Sequence, residues 1–251
     1  MKKYSIQLFS VRRALDEDFD DTLKRIAQMG YDGVELCGNY GGYTPKELAK
    51  FLGFLGLEVV SAHLSIADCL DDDRLDYHAE YLKECGCDLI ICPWLKSESV
   101  EEAAEEGKKL STAAEKCLMK GFQFGYHNHE WEITTKDENG VCVFDKYMEV
   151  GDPLLLAEID VGWVGFAEES PEDYIRKYAG RVIALHLREI ENVDGKDVDV
   201  TFDKGPVDIK AVIQLGEKMG VQHFIVEHET EEEVEMQNAE IIINQLKALK
   251  L

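Results

Sequence analysis

The sequence lacks the features of a membrane or exported protein. Its 251 residues contain no run near the roughly 18 uncharged apolar residues that a membrane-spanning helix needs. The segment 1–9 has two lysines but no long apolar run, so we expect a first strand there rather than a signal peptide. The seven cysteines form no Cys-X-X-Cys pair, which favours reduced, buried thiols. The sequence therefore predicts a cytoplasmic protein.

Basic residues are also scarce relative to acidic ones. The chain has 27 Lys and Arg against 51 Asp and Glu, a formal net charge of −24. Phosphate backbones bind surfaces rich in Lys and Arg, so we expect no nucleic-acid partner. Hydrophobic residues make up 45% of the chain and charged residues 31%, which indicates a large folded core. The acidic surface favours solubility, and self-association as a homo-oligomer stays open.

Glycine-rich phosphate loops are absent as well. The first predicted strand leads into Leu8-Phe9-Ser10-Val11-Arg12, which holds no Gly-X-Gly-X-X-Gly motif, and no Walker-type loop occurs elsewhere. A doubly wound sheet that binds a dinucleotide is therefore disfavoured.

The chain does contain a recurring unit, in which a charged helical stretch ends at glycine and a short apolar strand follows. Glycine permits the left-handed conformation that commonly ends a helix. The glycines concerned are Gly30, Gly56, Gly86, Gly121, Gly151, Gly180 and Gly220. With the opening strand around Ile6, this gives eight strands, each followed by a helical pattern. We predict an α/β fold in which residues 1–251 form a single (β/α)8 TIM barrel domain, with an irregular loop over 191–203.

Candidate functional residues come from the ends of the predicted strands, because function in such a barrel lies at the carboxyl ends. These ends are Gln7, Glu35, His63, Cys92-Pro93-Trp94, His127-Asn128-His129, Asp160, His186 and Glu227. Buried strands avoid unpaired charge, so this concentration of acid–base and metal-binding types indicates a site. Adjacent strands lie about 4.8 Å apart, so the carboxylates and imidazole of the last strands can converge on one ion. Such donors suit Mn²⁺, Mg²⁺, Co²⁺ or Zn²⁺.

Each of these residues also has a purely structural interpretation. Asp160 could cap the turn at Gly162, His186 could be a hydrogen-bonded core histidine, and Glu227 could pair with Arg188. Separate structural roles at neighbouring strand ends explain the pattern less well than one shared site. The tryptophans Trp94 and Trp163 could pack at the barrel mouth or form a stacking platform for a sugar.

Six short segments carry a resemblance to a known family. They are 6–12, 33–36, 61–63, 126–129, 159–163 and 186–188, in order along nearly the whole chain. Together they resemble the xylose isomerase-like barrels, in the branch called sugar phosphate isomerases/epimerases. The resemblance implies one divalent metal held by four residues from the fifth to the eighth strand.

Three metal ligands carry over directly from the resemblance: Asp160, His186 and Glu227. The fourth is normally a glutamate at the end of the fifth strand, where this chain reads His127-Asn128-His129. We expect Glu132, just beyond, to be the fourth ligand because a third carboxylate suits Mn²⁺, with His127 or His129 as alternatives. Manganese is the expected ion.

The resemblance also implies chemistry that begins with removal of a proton beside a carbonyl. Isomerisation, epimerisation and loss of a β-hydroxyl all start with that step. The candidate bases are His127, His129 and Glu227. The candidate substrate contacts are Gln7, Glu35, His63, Trp94, Trp163 and Arg188. Our first hypothesis is an isomerase or epimerase of a sugar, keto-sugar or inosose, and the alternative is a lyase or dehydratase of a related compound.

Two further alternatives come from other classes of protein. A zinc-dependent abasic-site endonuclease has the same fold, but the family position that would supply a further histidine holds Trp163, and the charge of −24 disfavours DNA. A non-catalytic barrel that binds a sugar would bind no divalent ion. Because Arg12 and Arg188 are the main basic residues near the strand ends, we expect a carbohydrate substrate without phosphate.

Overall fold

The computed structural model describes residues 2–151, 153–202, 204–230 and 234–251. Eight short strands form its centre. They are β1 (Ser5–Gln7), β2 (Gly33–Leu36), β3 (Glu58–His63), β4 (Leu89–Cys92), β5 (Gln123–His127), β6 (Leu155–Asp160), β7 (Val182–Leu187) and β10 (His223–Val226). All neighbouring pairs are parallel, and β1 pairs with both β2 and β10, so the sheet closes on itself. The predicted (β/α)8 barrel is confirmed.

Helices connect successive strands and pack around the barrel. They are α1 (Arg12–Glu17), α2 (Phe19–Met29), α3 (Pro45–Leu55), α4 (Ile66–Leu70), α5 (Asp72–Glu84), α6 (Val100–Met119), α7 (Glu130–Thr134), α8 (Val143–Val150), α9 (Val161–Phe166), α10 (Pro171–Lys177), α11 (Ile209–Met219) and α12 (Glu235–Ala248), with a 3₁₀ turn at Leu8–Val11. Side-chain caps fix several starts; before α6, for example, Ser99 accepts from the backbone N–H of Glu102. Over the described ranges, no helix combines the length and apolar character needed to cross a bilayer.

The helix-ending glycines behave as predicted at six of seven positions. Gly30, which ends α2, has φ +90°, a conformation that other residues rarely adopt. Gly151 is the exception, because its φ is −82° and the prediction of a left-handed residue there is wrong. A Cβ on Gly151 would lie 2.5 Å from the Cβ of Leu155. This glycine is therefore required for space rather than for its dihedral angles.

The segment after β7 also differs from the prediction. The irregular loop expected over 191–203 contains an antiparallel hairpin of β8 (Ile190–Val193) and β9 (Lys196–Asp199). The turn between them uses Asp194 and Gly195, both at positive φ. Residue 203 lies outside the described residues.

Two apolar clusters make up the core. The larger one fills the layer between the barrel strands and the surrounding helices. The smaller one draws on strands that do not pair, such as β4 and β10, so it lies across the barrel interior. Its buried members are Leu89, Ile91, Ile183, Ala184 and Ile225. The polar residues at the strand ends come later along the same strands.

Candidate active site

Parallel register places the polar strand ends side by side. Asp160 of β6 is the register partner of His186 of β7. One step round the barrel, His127 of β5 is the partner of Glu158 of β6. Side chains two residues apart on a strand share a face, so Glu158 and Asp160 both point into the barrel.

Two overlapping groups of ligand atoms result. The outer group consists of His127, Asp160, His186 and Glu227. The inner group consists of His63, His127, Glu158 and His186. Within each group the ligand atoms all lie within 4.8 Å of one another. Both groups are almost entirely buried, and the two share His127 and His186.

Asp160 uses its two carboxylate oxygens differently. Oδ1 accepts the backbone N–H of Trp163 at 2.9 Å and caps α9, as the structural interpretation predicted. Oδ2 is buried and makes no hydrogen bond, and the nearest cationic atom, Nη1 of Arg188, is 3.7 Å away. One oxygen therefore stabilises a helix start, while the other points unbonded into the outer group.

The two shared histidines are held by carboxylates on both sides. Nδ1 of His186 lies 2.5 Å from Oε2 of Glu227, and its Nε2 lies 2.7 Å from Oε2 of Glu35. Nδ1 of His127 lies 3.1 Å from Oε2 of Glu158. His186 is thus a hydrogen-bonded core histidine, and it also belongs to both groups of ligand atoms.

Burial and charge shift the pKa values of these groups. Burial lowers the pKa of His127 to about 3, so this imidazole is neutral and retains a lone pair. Burial raises the pKa of Asp160 to about 7, although Arg188 opposes the shift. For His186, burial acts to lower the pKa, but Glu158 and the other carboxylates around it raise the value well above normal.

The residues present fit a divalent cation. Four carboxylates, those of Glu35, Glu158, Asp160 and Glu227, are buried near the histidines. Buried negative charge is costly unless it is compensated. Oδ2 of Asp160 and Oε1 of Glu158 are both buried without a hydrogen bond. Oxygen and imidazole donors of this kind suit Mn²⁺, Mg²⁺, Co²⁺ or Zn²⁺.

Glu132, the predicted fourth ligand, lies outside both groups. It is fully buried, its Oε1 accepts the hydroxyl of Tyr126 at 2.6 Å, and its Oε2 accepts the backbone N–H of His129 at 2.7 Å. These contacts make Glu132 part of the capping box that starts α7. The outer group instead contains His127, one of the two alternatives named from the sequence.

A cavity of about 400 Å³ opens above the outer group. Of the predicted bases it is lined by His127, His129 and Glu227. Of the predicted substrate contacts, His63 and Trp94 line it, and Trp94 is half exposed. The ring of His129 packs edge-on against Trp94, with centroids 5.0 Å apart.

The other predicted substrate contacts lie beneath or beside this cavity. Gln7 donates to Glu35 at 2.7 Å, and both are fully buried. The guanidinium of Arg188 packs 4.7 Å from the ring centre of Trp163. Arg188 also donates to both carboxylate oxygens of Asp199 at 2.8 Å, which anchors the β8–β9 hairpin beside the site.

Sequence reasoning assigned no role to Glu158, although this residue touches three histidines. Its Oε2 lies 2.8 Å from Nε2 of His63, 3.1 Å from Nδ1 of His127 and 3.0 Å from Nε2 of His186. The available signal was its position two residues before Asp160, which places both carboxylates on one face of β6.

Comparison with known proteins identifies the family. The family described as xylose isomerase-like TIM barrel matches residues 23–250. The chain belongs to this family, and the resemblance found in the sequence is confirmed.

Among curated proteins, the chain is similar to inosose dehydratases. It is 25% identical to the inosose dehydratase of Geobacillus kaustophilus over 198 residues, which cover 69% of this chain and 62% of that protein. It is 26% identical to inosose dehydratase 2 of Bacillus cereus over 214 residues, which cover 74% of this chain and 70% of that protein. The chain thus spans less than two thirds of the Geobacillus relative.

Solved structures share the fold. A sugar phosphate isomerase/epimerase from Parabacteroides distasonis ATCC 8503 superposes with a TM-score of 0.81 at 23% identity, covering 98% of this chain and 94% of that one. The probable 3-DHS dehydratase AsbF of Bacillus anthracis, involved in petrobactin synthesis, superposes with a TM-score of 0.77 at 16% identity, covering 98% of this chain and 99% of that one. At such identities the likeness concerns the fold alone.

Proposed function

We propose that this protein is a divalent-metal-dependent lyase that dehydrates an uncharged polyhydroxy ketone of the inosose class. The observation that carries this proposal is the outer group, whose ligand atoms lie within 4.8 Å of one another at the base of the cavity. The curated relatives named inosose dehydratases favour dehydration over the isomerisation that we put first from the sequence.

The metal would be held by Asp160, His186, Glu227 and His127, with manganese the ion that we favour. A divalent ion bound there would polarise the substrate carbonyl and lower the pKa of the adjacent C–H. His127 takes the position that we expected Glu132 to fill. The donor set then has two carboxylates and two imidazoles.

Proton transfer falls to two other histidines of the cavity lining, His129 and His63. His129 lines the cavity and is our candidate for the base that removes the proton beside the carbonyl. His63 also lines the cavity and is our candidate donor to the departing β-hydroxyl. The C–H electron pair forms a C=C bond, the C–O bond breaks, and water leaves. The enol product tautomerises to a 1,2-diketone.

The charge of the cavity supports a substrate without phosphate or carboxylate. In the described part of the chain, its lining contains no lysine or arginine but includes Asp68, Glu227 and Glu229. Arg188 is occupied by Asp199, and Arg12 donates to the carbonyl of Phe9 at 2.8 Å. A phosphate or carboxylate group lying away from the metal position would meet this negative charge with no basic side chain in the described lining to compensate it.

An isomerase or epimerase of a neutral keto-sugar is the second candidate. The same two histidines of the cavity lining, His63 and His129, support it equally, because a second acid–base group can return the proton to another carbon or face. Its first step is the same proton removal.

The test supplies the Mn²⁺-loaded protein with inososes and neutral keto-sugars in deuterated water. Dehydration predicts a product lacking one water by mass spectrometry, whereas isomerisation predicts deuterium in an isomer of unchanged composition. His186→Ala should abolish both metal uptake and turnover. Full turnover by His186→Ala, or a clear preference for a sugar phosphate over its neutral parent, would contradict the proposal.

A further inference from the structure

One carboxylate oxygen is surrounded by three imidazole rings at the centre of the barrel. Oε2 of Glu158 lies between 2.8 and 3.1 Å from ring nitrogens of His63, His127 and His186. Glu158 itself is fully buried. Burying a carboxylate costs free energy unless its neighbours compensate the charge, so these three imidazole contacts are the feature to explain.

The contacts of Glu158 divide the ring nitrogens into two sets. His127 turns Nδ1 to Glu158, while its Nε2 lies 4.0 Å from Oε2 of Glu227. His186 turns Nε2 to Glu158 at 3.0 Å and Nδ1 to Glu227 at 2.5 Å. Each ring therefore presents one nitrogen to the inner group and the other to the outer group.

A neutral imidazole has one N–H donor and one lone pair, and only the lone pair can bind a metal. A carboxylate can accept an N–H but cannot donate to a bare nitrogen. We propose that Glu158 is a positioning residue, which accepts N–H groups from His127 and His186 so that His127 Nε2 and His186 Nδ1 present their lone pairs to the outer group. This inference rests on the proposed metal site.

Glu35 is the obvious competitor for this role, and its contacts argue against it. Its Oε2 already accepts from Gln7 at 2.7 Å, and its Oε1 accepts from Ser61 at 2.6 Å. It lies 2.7 Å from His186, but the described contacts include none with His127. Of these two carboxylates, only Glu158 has described contacts with both shared histidines.

A second cation in the inner group is the alternative to be tested. It would need the ring nitrogens that face Glu158 to give up their protons while the opposite nitrogens bind the outer ion. Both shared imidazoles would then have to be fully deprotonated, which is unfavourable for an imidazole. Positioning by Glu158 needs no such deprotonation.

The experiment compares Glu158→Gln with the wild type by two readouts other than activity. Glutamine keeps the volume but removes the negative charge and replaces one acceptor oxygen by a donor. We expect Mn²⁺ affinity, from titration of the metal-free protein, to fall by about 10- to 100-fold, as for other residues that orient metal-binding histidines. In the Zn²⁺-loaded wild type, ¹⁵N NMR of labelled histidines should show protons on His127 Nδ1 and His186 Nε2.

The matched control is Glu235→Gln. Glu235 is as buried as Glu158 and accepts from Arg13 at 2.9 Å, but it belongs to α12 and neither metal group contains it. Its substitution should lower thermal stability and leave Mn²⁺ affinity unchanged.

Three results would overturn the positioning role of Glu158 without overturning the proposed function. They are equal Mn²⁺ affinity in Glu158→Gln and wild type, protons on the opposite ring nitrogens, or two ions bound per chain with one lost in the variant. A wild-type chain that takes up no divalent ion would overturn both this inference and the proposed function, so the two failures are distinguishable.

Discussion

At the scale of single residues, the site is built from side chains that each make two different contacts. Asp160 caps α9 with one oxygen and leaves the other unbonded, while His127 and His186 each face two groups of donors. Such residues explain why structural and functional interpretations of the same position can both hold. A substitution must therefore be chosen to remove one contact and keep the other.

Asp160→Asn separates the two contacts of Asp160. The amide oxygen can still accept the N–H of Trp163, so the cap of α9 should persist. Loss of the carboxylate charge should lower Mn²⁺ affinity by at least about 10-fold, because a charged donor becomes a neutral one. Titration of the metal-free protein with Mn²⁺ checks this.

The matched control is Asp208→Asn. Asp208 caps α11 through the backbone N–H of Ala211 at 2.9 Å, in the same way that Asp160 caps α9. It should leave Mn²⁺ affinity at the wild-type value. Equal affinities for the Asp160 and Asp208 variants would remove Asp160 from the metal site.

At the scale of secondary-structure elements, close backbone approach fixes the geometry around the site. α9 begins directly after β6, and Gly162 in its first turn lies against the chain that leaves β7. A Cβ on Gly162 would lie 2.9 Å from the backbone oxygen of Arg188. Glycine is needed here for space, since its φ is not positive.

Gly162→Ala should therefore destabilise the protein by about 1–3 kcal/mol, the usual cost of inserting a carbon into packed structure. Gly53 offers a matched control, because it lies within α3 and a Cβ there would contact nothing within 4 Å. Gly53→Ala should stabilise by about 0.5–1 kcal/mol. Urea unfolding of both variants measures the change in the free energy of unfolding, which should fall for Gly162→Ala and rise for Gly53→Ala. An unchanged value for Gly162→Ala would show that the chain adjusts freely beside β7.

Asp145 joins two of the outer helices, α8 and α10. It accepts from Lys177 at 2.6 Å and from the hydroxyl of Tyr178. Burial acts to raise the pKa of Asp145, but the hydrogen bonds from Lys177 and Tyr178 outweigh burial and lower it below the ordinary value. A lowered pKa stabilises the fold above the unfolded-state pKa, and this contribution is lost as the pH falls through the folded-state pKa.

Asp145→Asn should accordingly lower the melting temperature at neutral pH. The difference in melting temperature between variant and wild type should narrow as the pH falls below about 4, where the aspartate carboxyl of the unfolded chain becomes protonated. Scanning calorimetry across this range measures the gap, with the exposed hairpin variant Asp197→Asn as control. A gap that stays constant down to about pH 2 would contradict the assignment of the stabilisation to the ionised carboxylate.

At the scale of the whole molecule, the barrel collects charge from distant parts of the sequence. The four carboxylates of the site come from β2, β6 and the end of β10, and all are buried. Part of the net charge of −24 is therefore inside the protein rather than on its surface. A bound cation would compensate this buried charge and should stabilise the folded chain.

Mn²⁺ at 100 times its dissociation constant should raise stability by about 2.7 kcal/mol. For a domain of this size that corresponds to a rise in melting temperature of about 5–10 °C. Thermal scans with Mn²⁺ and with a chelator measure the shift. Asp160→Asn should show little of it, and an equal shift in that variant would indicate binding elsewhere.

The sequence by itself determined the repeating architecture. Glycines at the ends of helices and apolar segments after them depend on local dihedral angles and on burial, so Gly30 and the strand that follows could be recognised without tertiary information. The same local logic selected Asp160, His186 and Glu227 as candidates, because each lies within one residue of a strand end. It failed at Gly151, where the constraint is a contact with Leu155, and over the β8–β9 hairpin.

Only the tertiary structure decided which donors come together. Register between strands places Glu158 beside His127 and Asp160 beside His186, and no spacing along the chain encodes that pairing. Tertiary structure also left His127 within the outer group, whereas the role of Glu132 in the capping box of α7 is a local contact with His129. The physical reason is that a local sequence fixes which face a side chain occupies, whereas barrel closure fixes which side chains meet across that face.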